Sequence, residues 1–89
     1  MNRASAEKLS VMMLRISGML DDSIAFVRDA ESKKDFELYR DQVSRTMASM
    51  YLDVLEHIWK EHPNLRPKQM GGSYEVDPAI HEPRFYDIR

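Results

Sequence analysis

Asp53, His57 and Glu61 follow one another at four-residue intervals. Around them the octapeptide EHIWKEHP, residues 56 to 63, gathers two histidines, two glutamates, a lysine and the single tryptophan. A four-residue interval stacks side chains on one face of a helix. An imidazole between two carboxylates on such a face is a donor set for zinc or a harder transition metal. Asp53, His57 and Glu61 are therefore the candidate metal ligands, with His62 or His81 as a further imidazole, and the chemistry they would support is that of a metal- or small-ligand-binding enzyme with its site at the end of a helix. A di-iron bundle of the ferritin type also needs Glu-x-x-His, which the chain does not contain.

The same octapeptide has a plainer reading as a helix terminus. Glu56 and Lys60 form a favourable pair one turn apart, and His57, Lys60 and His62 complement the negative end of the helix dipole. Pro63 cannot continue the hydrogen-bond ladder and disfavours helical geometry at His62. This is the reading adopted. His57 and Lys60 also resemble the His-x-x-Lys core of histidine phosphotransfer domains, which are helical bundles. Glu61 stands where that family carries a small residue, and a carboxylate there would repel a phosphate; no family is assigned on two residues.

Other catalytic patterns are missing. The chain has no cysteine, no Gly-x-Ser-x-Gly and no glycine-rich loop opening a helix, and MGGSYE has neither the lysine nor the following helix of a phosphate cradle. Arg15 interrupts the apolar run LSVMMLRISGML, where it would either hold an anion at a subunit interface or snorkel to solvent, the second being the ordinary behaviour. No cofactor is implied.

The elements that must position these residues are helical. Leu9, Met13, Ile16, Leu20, Ile24 and Val27 recur at three- and four-residue steps, with Met12, Met19 and Phe26 beside them at seven-residue steps. They predict a helix over about 5–28. Ser32 with Asp35 three residues on marks the start of a second, over about 33–61. Its stripe is Phe36, Tyr39, Val43, Met47, Met50, Val54 and Ile58, widened by Leu38, Tyr51, Leu52, Leu55 and Trp59. The short link makes the two helices antiparallel neighbours. From His62 onward periodicity stops, and all four prolines and the Gly71-Gly72 pair fall there. SYEVD and RFYDI alternate weakly like strands, but two such short strands alone would be marginal. The expected tail is an extended arm whose Tyr74, Val76, Ile80, Phe85, Tyr86 and Ile88 dock on the helices.

The fold class expected is all-α: an antiparallel hairpin over 1–62 that dimerises into a four-helix bundle, with an extended C-terminal arm over 63–89. Eighty-nine residues bury too little surface alone to cover apolar faces this broad. A homodimer follows, with Met12, Met19, Phe26, Met47, Tyr51, Leu55 and Trp59 as the interaction residues, or else membership in a hetero-complex. A net charge of -2 gives no electrostatic ground for nucleic acid or anionic membrane as partner. Absence of cysteine points to a reducing compartment, so the cytoplasm is expected. The function expected is a protein-interaction or regulatory module without catalysis.

Overall fold

The computed structural model describes residues 1–77. His81, the apolar residues Ile80, Phe85, Tyr86 and Ile88, and the RFYDI segment lie outside the described residues. The described residues form an antiparallel helical hairpin closed by a short clasp, with extents of 45 × 25 × 20 Å.

Helix α1 spans Arg3–Ala30. Asn2 starts it by accepting a hydrogen bond from the Ser5 N–H at 2.9 Å, and Glu31 ends it by donating its N–H to the Val27 carbonyl at 2.9 Å. An asparagine cap outside the apolar stripe carries no periodicity, so the helix begins earlier than the stripe alone indicates. Ser32 then accepts from the Asp35 N–H at 3.1 Å and opens α2, Lys33–Ser49. The helical path does not stop at Ser49. It passes through a π turn, Met50–Leu55, and continues as α3, Glu56–Glu61, until His62 leaves helical geometry at φ -131°, ψ 76° ahead of Pro63.

The π turn has a geometric purpose. Ser10 and Ser17 on α1 are seven residues apart, while their partners Trp59 and Tyr51 are eight apart. Eight α-helical residues would rotate Trp59 about 80° from Tyr51, whereas seven leave only about 20°. A π turn absorbs one extra residue and brings both rings back to the same side. It also moves the apolar stripe by one position: Val54, expected on the stripe, is exposed, and Leu55, expected beside it, is buried. Leu38 and Leu52, expected to widen the packed face, are exposed as well.

On α1 the buried positions are Ala6, Ser10, Leu14, Ser17, Asp22 and Ala25. The expected stripe lies beside this line: Leu9, Met13, Leu20, Ile24 and Val27 are half-buried and Ile16 is exposed. Small side chains let the facing helix approach closely, and its large aromatic residues fill the space. The polar tips of those aromatics find serines in order down the hairpin. Trp59 Nε1 donates to Ser10 Oγ at 3.0 Å, Tyr51 Oη lies 3.2 Å from Ser17 Oγ, and Tyr39 donates to Ser23 Oγ at 2.9 Å. A buried indole or phenol needs such a partner, because leaving one unsatisfied costs about 1–3 kcal/mol.

The described part of the arm is a folded clasp rather than an extended strand. Two 3-10 turns, Pro63–Leu65 and Lys68–Met70, lead to Gly71 at φ 85°, a left-handed conformation that glycine adopts freely. The chain then doubles back, and Tyr74 donates its N–H to the Arg66 carbonyl at 3.0 Å while Lys68 donates to the Tyr74 carbonyl at 3.1 Å. Gly72 is required by contact, since a Cβ there would lie 2.0 Å from the Arg66 carbonyl oxygen. Among the described residues the only β pairing is the isolated Pro67–Tyr74 bridge, so SYEVD does not form a strand. Turns at Pro63, Pro67 and Gly71 override the weak alternation of five residues.

The clasp completes the core. Leu65 and Val76 join Ala6, Leu14, Leu55, Ile58 and Trp59, with Leu9, Met13, Tyr51 and Tyr74 packed against them. All of these lie at the end of the hairpin away from the Glu31-Ser32 link. No described helix is long and apolar enough to cross a membrane.

Candidate interaction surface

The clasp end holds most of the polar side chains singled out in the sequence. His57 Nε2 lies 3.0 Å from Glu61 Oε1 on an exposed face of α3, as four-residue spacing requires. Asp53 is exposed in the π turn. The stacking of Asp53 over His57 assumes continuous α geometry, which the π turn interrupts. Among the described residues no group of three histidine, aspartate or glutamate side chains is placed to hold a metal ion. His62 is turned instead toward the chain start, with Nε2 3.0 Å from the Met1 carbonyl oxygen.

Glu56 and Trp59, neighbours of these residues, are engaged by the clasp. Arg66 donates two parallel hydrogen bonds to the Glu56 carboxylate at 2.7 and 2.8 Å. Its guanidinium also lies over the Trp59 ring, 5.1 Å from the centroid. A fork on a carboxylate combined with stacking on an indole is a geometry that arginine supports and lysine does not. The Arg66 hydrogen bonds hold the Glu56 carboxyl below its ordinary value of 4.5 and raise Arg66 in turn, with desolvation opposing both. Further along, Tyr74 donates to Glu7 Oε2 on α1 at 2.7 Å, and this bond, together with burial, raises the phenol above its ordinary value. Lys68 pairs with Glu75 at 2.7 Å and lowers that carboxyl. The Arg66 and Tyr74 contacts fasten the clasp to α3 and α1, and the Lys68–Glu75 pair ties it to itself, which is structural work.

The residues expected to meet a partner divide into two groups. Leu55 and Trp59 are 0% and 2% exposed and belong to the chain's own core. Met47 and Tyr51 are half-buried, and the Tyr51 ring is tilted against Trp59 with centroids 6.2 Å apart. Met12, Met19 and Phe26 are 44%, 58% and 54% exposed. Ile16, absent from that set, is 40% exposed and sits one turn from Met12 and from Met19. Its assignment to the packed stripe concealed it, because the buried face runs through Ser10, Ser17 and Ala25, whose burial depends on partners across the hairpin.

Met12, Ile16, Met19 and Phe26 therefore lie along one side of α1 over about four turns by helix rise. Aligned apolar side chains of this size on a solvent face are a recognised mark of an interaction site. Methionine is suited to such a face because its unbranched, polarizable chain adapts to the shape of its neighbour.

No protein-family model matches the chain, and comparison with curated proteins and with solved structures gave no match.

Proposed function

We propose that the chain is a helical interaction module that acts as a homodimer in the cytoplasm, without catalysis of its own. Two hairpins meet through the α1 face to build a four-helix bundle. The observation that carries this reading is the exposed line Met12, Ile16, Met19 and Phe26, set on a helix whose opposite face is already occupied by the chain's own aromatics. Burying such a line gives roughly 25 cal/mol for each Å² of apolar surface removed from water, a driving force for association through this face. The absence of cysteine agrees with a reducing compartment.

Native mass spectrometry with sedimentation across a concentration series tests the proposal. The expected species is twice the 10.5 kDa chain mass. Met19→Glu places a charge in the middle of the face and should weaken dimerisation at least about tenfold, equivalent to 1.4 kcal/mol, while leaving helicity unchanged because Met19 lies outside the monomer core. A chain that stays monomeric at all concentrations, or a Met19→Glu variant that dimerises as well as the parent, overturns the reading.

A further inference from the structure

Lys8, Arg15, Asp22 and Asp29 stand at seven-residue intervals along α1, beside Met12, Met19 and Phe26 at the same interval. Seven residues fall about 20° short of two full turns, so the charged and apolar lines run next to one another along the helix. The charged line changes sign halfway, basic toward the N-terminus and acidic toward the C-terminus. That order opposes the helix dipole, which favours acids at the start and bases at the end, and α1 has no acidic residue in its first turn. Lys8 and Arg15 are exposed, and neither takes part in an ion pair among the described residues.

Taking the homodimer reading as its basis, we infer that the face is covered by α1 of a second copy running antiparallel to the first, about a two-fold axis at Met19. A two-fold contact must be self-complementary, each residue meeting its counterpart reciprocally. Turning one α1 end for end about Met19 lays Met12 on Phe26 and Met19 on Met19. The same operation brings Lys8 of one copy to Asp29 of the other and Arg15 to the level of Asp22. Asp29 is exposed and already within 3.1 Å of Arg28, so Lys8 adds a second cation to a carboxylate at the rim. Asp22 is 3% exposed and already engaged, so the Lys8–Asp29 pair is the contact at the rim that the antiparallel order favours. Parallel pairing would level Lys8 with Lys8, Arg15 with Arg15 and Asp29 with Asp29 across the seam, placing no cation at the level of an opposite charge, so the antiparallel order is the favoured one.

The chain has no cysteine, so single substitutions give unambiguous cross-links. Met19→Cys, Met12→Cys and Phe26→Cys are each treated with a short bismaleimide, alone and as an equimolar mixture of the last two, with sedimentation of the untreated samples alongside. All three positions are exposed, and circular dichroism verifies that each variant keeps its helicity. The expected result is efficient linkage of Met19→Cys to itself and of Met12→Cys to Phe26→Cys. Self-linkage of Met12→Cys or of Phe26→Cys should be at least tenfold lower. Efficient self-linkage at those two positions, or a sedimenting dimer that links at none of the three, overturns the antiparallel α1 pairing while leaving the homodimer standing. A monomer in sedimentation overturns both.

Discussion

Trp59 is the residue on which the clasp end turns. Its indole N–H is satisfied by Ser10, one face is covered by Arg66, and Tyr51 tilts against it, so α1, the π turn and the clasp all meet at one ring. The Arg66–Glu56 fork fixes the cover and makes it pH-dependent in a definite direction. Because the Glu56 carboxyl is lower in the folded chain than its ordinary 4.5, the unfolded chain binds more protons between those two values. The contribution of the fork is therefore complete above pH 4.5 and is lost as pH falls through the folded value. Urea midpoints followed by Trp59 fluorescence should decline on acidification below about pH 4.5. Glu56→Gln should lower the midpoint at neutral pH and flatten that decline. Glu75, lowered by Lys68 in the same sense, leaves a residual slope in the variant. Acid limbs that run parallel in the parent and in Glu56→Gln would show that the fork does not contribute to folding.

At the scale of elements, the two long helices were legible because their cues are local. Ser32 with Asp35 opens the second helix, Pro63 closes it, and the short link forces an antiparallel return. What the sequence concealed came from packing between elements. A serine at a buried position reads as polar until its aromatic partner across the hairpin is known, so Ser10 and Ser17 carried no signal of burial. The π turn was hidden because a one-residue slip replaces Val54 by Leu55, one branched aliphatic for another, and the stripe looks continuous either way. The same circumstances explain the site: Met12, Met19 and Phe26 were legible as a line apart, while Leu55 and Trp59 look equally apolar and are consumed by the core. If the π turn exists to reconcile an eight-residue interval with a seven-residue one, removing the extra residue should be tolerated. Deletion of Leu52, whose side chain is exposed, should leave an ordinary α-helix that keeps Tyr51 on Ser17 and Trp59 on Ser10. Its cost should stay within about 1 kcal/mol, against several for deletion of Arg45, which rotates every following residue of a plain helix by about 100°. Equal losses in urea unfolding for the two deletions would refute this account of the turn.

At the scale of the whole molecule, the core is uneven. Seven buried apolar side chains cluster at the clasp end, whereas Ala25 and Val43 are the buried apolar residues toward the link among those described. The radius of gyration, 14.5 Å, exceeds the roughly 12 Å of a compact globule of this length. A rod with one packed end should not unfold uniformly, because local opening is governed by the apolar contacts a segment must break. In dilute solution, below the midpoint of the proposed dimerisation, amides of the link-proximal half, from about residue 20 to 45, should therefore exchange hydrogen faster than those of α3 and the π turn. Raising the concentration through the midpoint adds the α1 contact. New protection should appear first along the stretch from Met12 to Phe26, whose outer face becomes buried, and spread to the link-proximal part of α2 that leans on it. The clasp should change little, since Leu65, Val76 and Trp59 are already covered within one chain. Hydrogen exchange read by mass spectrometry over that concentration range separates the alternatives. Uniform protection in the dilute sample would contradict the uneven core, and a concentration-dependent gain confined to the clasp would place the partner at the clasp end rather than on the α1 face. A gain centred on Met19 with a quiet clasp would support the proposed α1 contact, which begins beside the packed end at Met12 and reaches into the thinly packed half at Phe26.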